Sequence, residues 1–239
     1  MEILDIHTHH AVPQPEGVVS LCLRKVRIEA GKVALSAEGV PVVTADMITN
    51  PTPDAAVLDI EQKYSVGIHP WDTLEDPGEE EWDALRTLAA EPNVVAIGEC
   101  GIDLTPKGGP LFRQMQIFKR HVELSEELGK PLVLHDVKAH DIIAGARRDM
   151  KPTQPWAIHG FRRKPEVAVM LLRAGCWLSF GAEFNSETLL ATPKDRILAE
   201  TDESPLSIEE VIGRLSAAYG EDLRGTIAEN TRRFLGSEE

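Results

Sequence analysis

Eight short apolar runs, most of them followed by helical patterns, predict an α/β protein built on a parallel sheet. Two further observations close that sheet into a distorted TIM-like (β/α) barrel. Eight strands in about 240 residues match the size of such a barrel. No glycine-rich phosphate loop follows any run, which disfavours the open doubly wound alternative.

The runs fall at residues 3–6, 18–23, 64–68, 94–98, 131–134, 156–158, 176–180 and 197–199. Most are near-continuous in Val, Ile, Leu and Ala, the pattern of strands covered on both faces. Residues 110–129 read as a helix, with Leu111, Met115, Phe118 and Val122 forming an apolar stripe that Gly129 and Pro131 end. Pro165 opens a helix that Gly175 closes. Ser207 and Glu210 make a capping box ahead of Val211, Leu215 and Tyr219, and a last helix spans about residues 221–235. Residues 11–63 are rich in Pro and Gly, with no clear helix between the first two runs. There the barrel is expected to be irregular, with a hairpin over 33–35 and 42–44. One barrel domain is expected over residues 1–239.

Composition narrows the function. The longest apolar run, from Val167 to Leu172, is six residues, against the 18 or so that a membrane helix needs. A net charge of −14 argues against a broad electrostatic grip on nucleic acid or anionic lipid. It leaves room for a phosphorylated substrate, because a bound metal reverses the local field. Cys22, Cys100 and Cys176 are too few for a disulfide framework. No secretory signal is legible at the N-terminus, so a cytoplasmic location is expected.

The polar residues then point to chemistry. All runs but the second and seventh end in a metal-capable side chain: His7 and His9, His69, Glu99, His135, His159, and Glu200 with Asp202. In a parallel barrel the C-terminal strand ends converge on one mouth, so residues far apart in sequence meet in space. His7 and His9 lie two apart and share a face. Four histidines with Glu99 and Asp202 exceed what one structural zinc takes, and match a site for two divalent cations. Imidazole mixed with carboxylate suits zinc, manganese, nickel or iron better than magnesium or calcium.

The chain resembles the TatD-like metal-dependent deoxyribonucleases, a branch of the amidohydrolase superfamily. The matching segments are Asp5-Ile-His-Thr-His9, Val66-Gly-Ile-His-Pro70, Ala96-Ile-Gly-Glu-Cys-Gly-Ile-Asp103, Pro131-Leu-Val-Leu-His135, Ile158-His-Gly-Phe161, Leu198-Ala-Glu-Thr-Asp202 and Glu229-Asn-Thr-Arg-Arg-Phe-Leu-Gly236. Together they extend over about three-quarters of the chain. The resemblance implies that His7, His9 and Asp202 hold one metal, that His135 and His159 hold the other, and that Glu99 bridges them. It implies a metal-activated water, with Asp202 orienting or deprotonating it. Around this set the loops depart from the family pattern: Val137 stands where an arginine is common, Gly160 where a cysteine is usual, and the proline after Asp202 comes one place late, at Pro205.

Other residues take smaller parts. His69 is expected to touch substrate or phosphate, and Arg162 and Arg163, with Lys164 and Lys138, to meet one or two phosphates at the mouth. Asp5 and Glu200 are expected to support ligands, Cys100 to be a small buried residue, and His121 and His140 to be surface residues of helices. The expected function is phosphoester hydrolysis on a phosphorylated small molecule or a single-stranded DNA end, with no stable duplex binding. The alternatives are hydrolysis of a C–N bond or lactone, and a metal-bound binding protein without turnover.

Overall fold

The computed structural model describes residues 2–9, 16–23, 42–43 and 62–236. Residues 33–35 and 44 of the expected hairpin lie outside them. The strands are β1 (Asp5–Thr8), β2 (Gly17–Leu23), β3 (Val42–Val43), β4 (Lys63–Gly67), β5 (Val94–Asp103), β6 (Leu132–Val137), β7 (Trp156–Ile158), β8 (Trp177–Phe180) and β9 (Ile197–Ala199). The helices are α1 (Glu79–Ala89), α2 (Leu111–Leu128), α3 (His140–Met150), α4 (Pro165–Arg173), α5 (Ser186–Ala191), α6 (Ile208–Tyr219) and α7 (Arg224–Phe234).

Eight strands run β1-β9-β8-β7-β6-β5-β4-β2, and β2 pairs back to β1, closing the barrel. Every pair is parallel. β3 adds to β2 in parallel, with Cys22 opposite Val42. None of the described helices is long and apolar enough to cross a membrane.

Side-chain alternation sorts the core into two compartments. Val133, Ala157 and Leu198 each sit two residues before a polar residue of the mouth (His135, His159 and Glu200), and so share its face. They belong to a separate buried cluster with Ile6, Ala96, Trp177 and Phe234, the filled interior beneath the mouth. Their neighbours Leu132, Leu134, Trp156, Ile158 and Ile197 pack instead with the helices.

β5 runs five residues further than its apolar run, because Cys100, Gly101, Ile102 and Asp103 keep pairing with β6. Between Ile97 and Cys100 three steps on β5 answer two on β6, from Leu132 to Leu134. This bulge turns the chain at Glu99. Gly98 and Gly101 flank it at φ of 142° and 138°. A Cβ at Gly101 would fall 2.2 Å from the His135 carbonyl oxygen, so only glycine lets the two strands approach there.

Helix α2 buries a face shifted from the expected one. Met115, Phe118 and Val122 pack inward, but Leu111 is exposed, and Gln114, Ile117 and His121 complete the buried stripe. The Gln114 side chain holds the end of β5 by accepting the Asp103 N–H at 2.7 Å and donating to the Asp103 carbonyl at 2.9 Å. His121 corrects the surface expectation, for it is fully buried. Its Nε2 accepts the Ile68 N–H at 3.0 Å, and its Nδ1 donates to the Ile117 carbonyl at 2.8 Å. A helix histidine thus caps the end of β4.

Burial pulls the His121 pKa down to about 4. The unfolded chain binds this proton first, so the contribution is whole above pH 6.5 and lost as the pH falls towards 4. Its size is about 3 kcal/mol. We expect urea midpoints to drop across that interval, and His121→Leu to flatten the drop while lowering stability at pH 7.5 by about 1–3 kcal/mol through the orphaned Ile68 N–H. An unchanged pH profile in the variant would remove His121 from the acid response.

Candidate metal centre

The mouth of the barrel encloses a cavity of about 1000 Å³ among the described residues. Glu99 lies in it, buried. Its oxygens divide the surrounding histidines. Oε1 lies 2.5 Å from His135 Nδ1, 2.7 Å from His159 Nε2 and 3.0 Å from His69 Nε2. Oε2 lies 3.4 Å from His7 Nε2 and 3.5 Å from His9 Nε2. Among the described residues every ion-pair partner of Glu99 is an imidazole. Burial alone would raise its pKa, but His159, His69 and His135 outweigh burial and hold it well below the usual carboxylate range.

Asp202 closes the His7 side. Its Oδ1 is 3.6 Å from His9 Nε2 and 3.9 Å from His7 Nε2. Two backbone bonds lock this seam: Asp202 N–H donates to the His7 carbonyl at 3.0 Å, and His9 N–H to the Asp202 carbonyl at 3.1 Å. Asp202 takes φ of 53°, a left-handed conformation that aspartate tolerates better than most residues. Its side chain is 40% exposed, towards the cavity.

Supporting groups fix the imidazoles. Nε2 of His135 faces Asp103 Oδ2 at 3.2 Å, so a proton held there leaves Nδ1 with a free lone pair towards Glu99. Burial opposes the charge of Asp103, but hydrogen bonds from Thr105, Trp71 and His135 hold its pKa down at about 2. Nδ1 of His159 lies 3.6 Å from Glu200 Oε1, which also accepts the Gly160 N–H. Asp5 accepts the N–H groups of His7 and Thr201 and the Thr201 hydroxyl, and burial pushes its pKa up to about 7. Asp5 thus stands behind the cluster, whereas Glu200 also lines the cavity.

His69 is closer to the centre than its sequence position implied. It forms, with Glu99 and His135, one of four overlapping sets among the described residues whose donor atoms lie within 4.8 Å of one another. The others are His7–His9–Asp202, His7–Glu99–His159 and His159–Glu200–Asp202. Nδ1 of His69 accepts the Trp71 N–H at 3.1 Å, which puts the proton of the neutral ring on Nε2. His69 therefore presents an N–H donor to the site rather than a lone pair.

Arg162 and Arg163 line the cavity at its rim, where Arg162 pairs with Glu183 at 2.7 Å. His140 is half-buried, its Nδ1 2.7 Å from Asp136 Oδ2, rather than a plain surface residue. Asp103 and Trp71 escaped the sequence reading. Glu99, Gly101 and Asp103 alternate, so carrying β5 on to residue 103 would have put both carboxylates on one face.

A family model described as TatD related DNase matches residues 5–236. The uncharacterized metal-dependent hydrolase YcfH of Escherichia coli strain K12 is 35% identical over 148 residues, 58% of this chain and 54% of its own length. A protein named 3'-5' ssDNA/RNA exonuclease TatD from Erwinia billingiae is 34% identical over 148 residues, 58% of this chain and 56% of its own. The chain thus spans about half the length of the curated relatives it matches. In fold it is similar to the crystal structure of YjjV, a TatD homologue from Escherichia coli K12, with a TM-score of 0.71 over 97% of both chains at 18% identity. A TatD family hydrolase from Entamoeba histolytica gives a TM-score of 0.68 over 98% of both chains at 13% identity. With its barrel closed, its histidines gathered on one carboxylate and the family match running nearly end to end, the chain belongs to the TatD-related DNase family.

Proposed function

We propose that the protein is a divalent-metal-dependent hydrolase that cleaves phosphoester bonds in small phosphorylated molecules or at the ends of single-stranded nucleic acid. The observation that carries this reading is the division of Glu99, with His135 and His159 on one oxygen and His7 and His9 on the other. A buried carboxylate ringed by imidazole nitrogens is a donor set that fits two cations sharing one bridge. His7, His9 and Asp202 would hold one, His135 and His159 the other, with Glu99 between. Zinc suits these donors, with manganese, nickel, iron or magnesium as alternatives. When bound, such a pair acidifies water, neutralises phosphate charge and stabilises a leaving oxygen.

The chain supplies the rest. Asp202, exposed to the cavity and held at the seam, takes the proton of the attacking water. Glu99 stays ionised and fixes the spacing of the two halves. The N–H of His69 and the guanidinium groups of Arg162 and Arg163 contact phosphate oxygens. The names of the curated relatives, one a metal-dependent hydrolase and one a single-strand exonuclease, support this reading. So does the charge of −14, which offers no long basic track for a duplex.

Asp202→Asn keeps the volume and loses the base, so kcat should fall by about 10²–10⁴-fold with the circular dichroism spectrum unchanged. Near wild-type turnover at full metal occupancy would take Asp202 out of the mechanism. Elemental analysis should find two divalent ions per chain. Chelation should abolish phosphodiester cleavage, and zinc or manganese should restore it. Hydrolysis that survives complete chelation would sink the metal assignment. In salt titrations a short single strand should be cut in preference to a blunt duplex. Tight duplex binding with a log–log salt slope steeper than about −5 would contradict the single-strand reading.

A further inference from the structure

The two walls of the cavity differ in chemistry. One carries Arg162 and Arg163. The other is made by the turn after β4 and the loop after β5, and it is braced. The Thr73 hydroxyl donates to the Pro70 carbonyl at 2.6 Å, and Gly109 N–H reaches the same oxygen at 3.3 Å. A Cβ at Gly109 would fall 2.5 Å from the Thr73 carbonyl oxygen, so the two segments are in direct contact. Gln114 donates to the Gly109 carbonyl at 2.6 Å and ties the loop to helix α2.

Trp71 stands on this wall, half-buried and lining the cavity. Its indole N–H donates to Asp103 at 2.6 Å. The His69 ring packs edge-on to it, centroids 4.7 Å apart at 79°, and the His135 ring lies 6.0 Å away. The ring is thus pinned beside the histidine cluster with its polar atom satisfied. The ammonium of the exposed Lys107 lies 4.1 Å from the ring centre, over its face. Nothing in the hydrolytic scheme uses this pair. A fixed aromatic face with an adjacent exposed cation is what a nucleobase and its phosphate would meet on a single-strand platform.

We propose that Trp71 is the stacking platform for the nucleobase next to the scissile phosphate, and that Lys107 leaves the ring face to contact the adjoining phosphate. This rests on the reading that the substrate is nucleotidic, and it adds where the base binds. Stacking tolerates any base, so the wall gives preference for nucleic acid over other phosphoesters without sequence specificity.

Binding separates this proposal from hydrolysis. A labelled six-residue oligothymidylate with cleavage-resistant phosphorothioate linkages is titrated by anisotropy against the metal-loaded wild type, Trp71→Leu, Trp71→Phe and Lys107→Ala, alongside an abasic phosphorothioate strand of equal length. Trp71→Leu should bind at least about fivefold more weakly. Trp71→Phe, which keeps a π face but loses the N–H, should retain most of the affinity. The abasic strand should bind wild type as poorly as oligothymidylate binds Trp71→Leu. Lys107→Ala should make the salt slope shallower by about 0.7. Intrinsic fluorescence should be quenched by oligothymidylate in wild type and not in Trp71→Phe. Equal weakening by Leu and Phe would mean that Trp71 only orients Asp103, and would overturn the proposal. So would equal binding of abasic and base-bearing strands, or no quench at millimolar strand. Base-dependent binding without turnover would leave the platform standing and remove the hydrolase reading. Turnover without base dependence would do the reverse.

Discussion

A carboxylate buried at the mouth of the barrel governs the arrangement around it. Removing Glu99 from water is expensive unless opposite charge or strong donors surround it. Among the described residues the fold meets this with five imidazoles, from β1 and the residue after it, the segment after β4, β6 and the segment after β7. None of these histidines is close to Glu99 in sequence, so the arrangement exists only when the barrel is closed. The bulge in β5 and the glycines flanking Glu99 serve the same end, bringing β5 against β6 where a side chain would hold them apart.

The histidines in turn need holding, and the second layer does this with backbone and carboxylate partners. Asp103 sits behind His135, Glu200 behind His159, and Asp5 with Thr201 behind His7. Each partner comes from a strand or strand end, so the rings inherit the rigidity of the barrel. The left-handed backbone at Asp202 is a local strain set where the cavity opens, and paired bonds to β1 hold it there.

Much of this was legible because barrel strands are continuous apolar runs and their polar ends stand out against them. The runs at 156–158 and 197–199 coincide with β7 and β9, and the capping box at Ser207 and Glu210 starts α6. The grouping of His7 with His9 and of His135 with His159 was implied by the resemblance, since no spacing could assign it. What escaped was tertiary. Past Glu99 the sequence turns to Cys, Gly and Asp, which reads as a strand end, yet pairing with β6 carries β5 on to Asp103. His121 was expected on the surface of its helix, yet it and Gln114 each satisfy a backbone group at the end of a neighbouring strand. Trp71 gave no periodic signal, because its position depends on a turn packed against a loop.

The seam between Asp202 and the segment holding His7 and His9 joins residues nearly two hundred positions apart. On the ribosome His7 and His9 emerge about 190 residues ahead of their carboxylate partner Asp202. Until residue 202 has left the exit tunnel, a nascent chain can offer at most part of the proposed ligand set. A polypeptide released early, short of that residue, would carry no complete centre. The order of these residues along the chain thus makes the last strand of the barrel the step that gathers the cluster at the mouth.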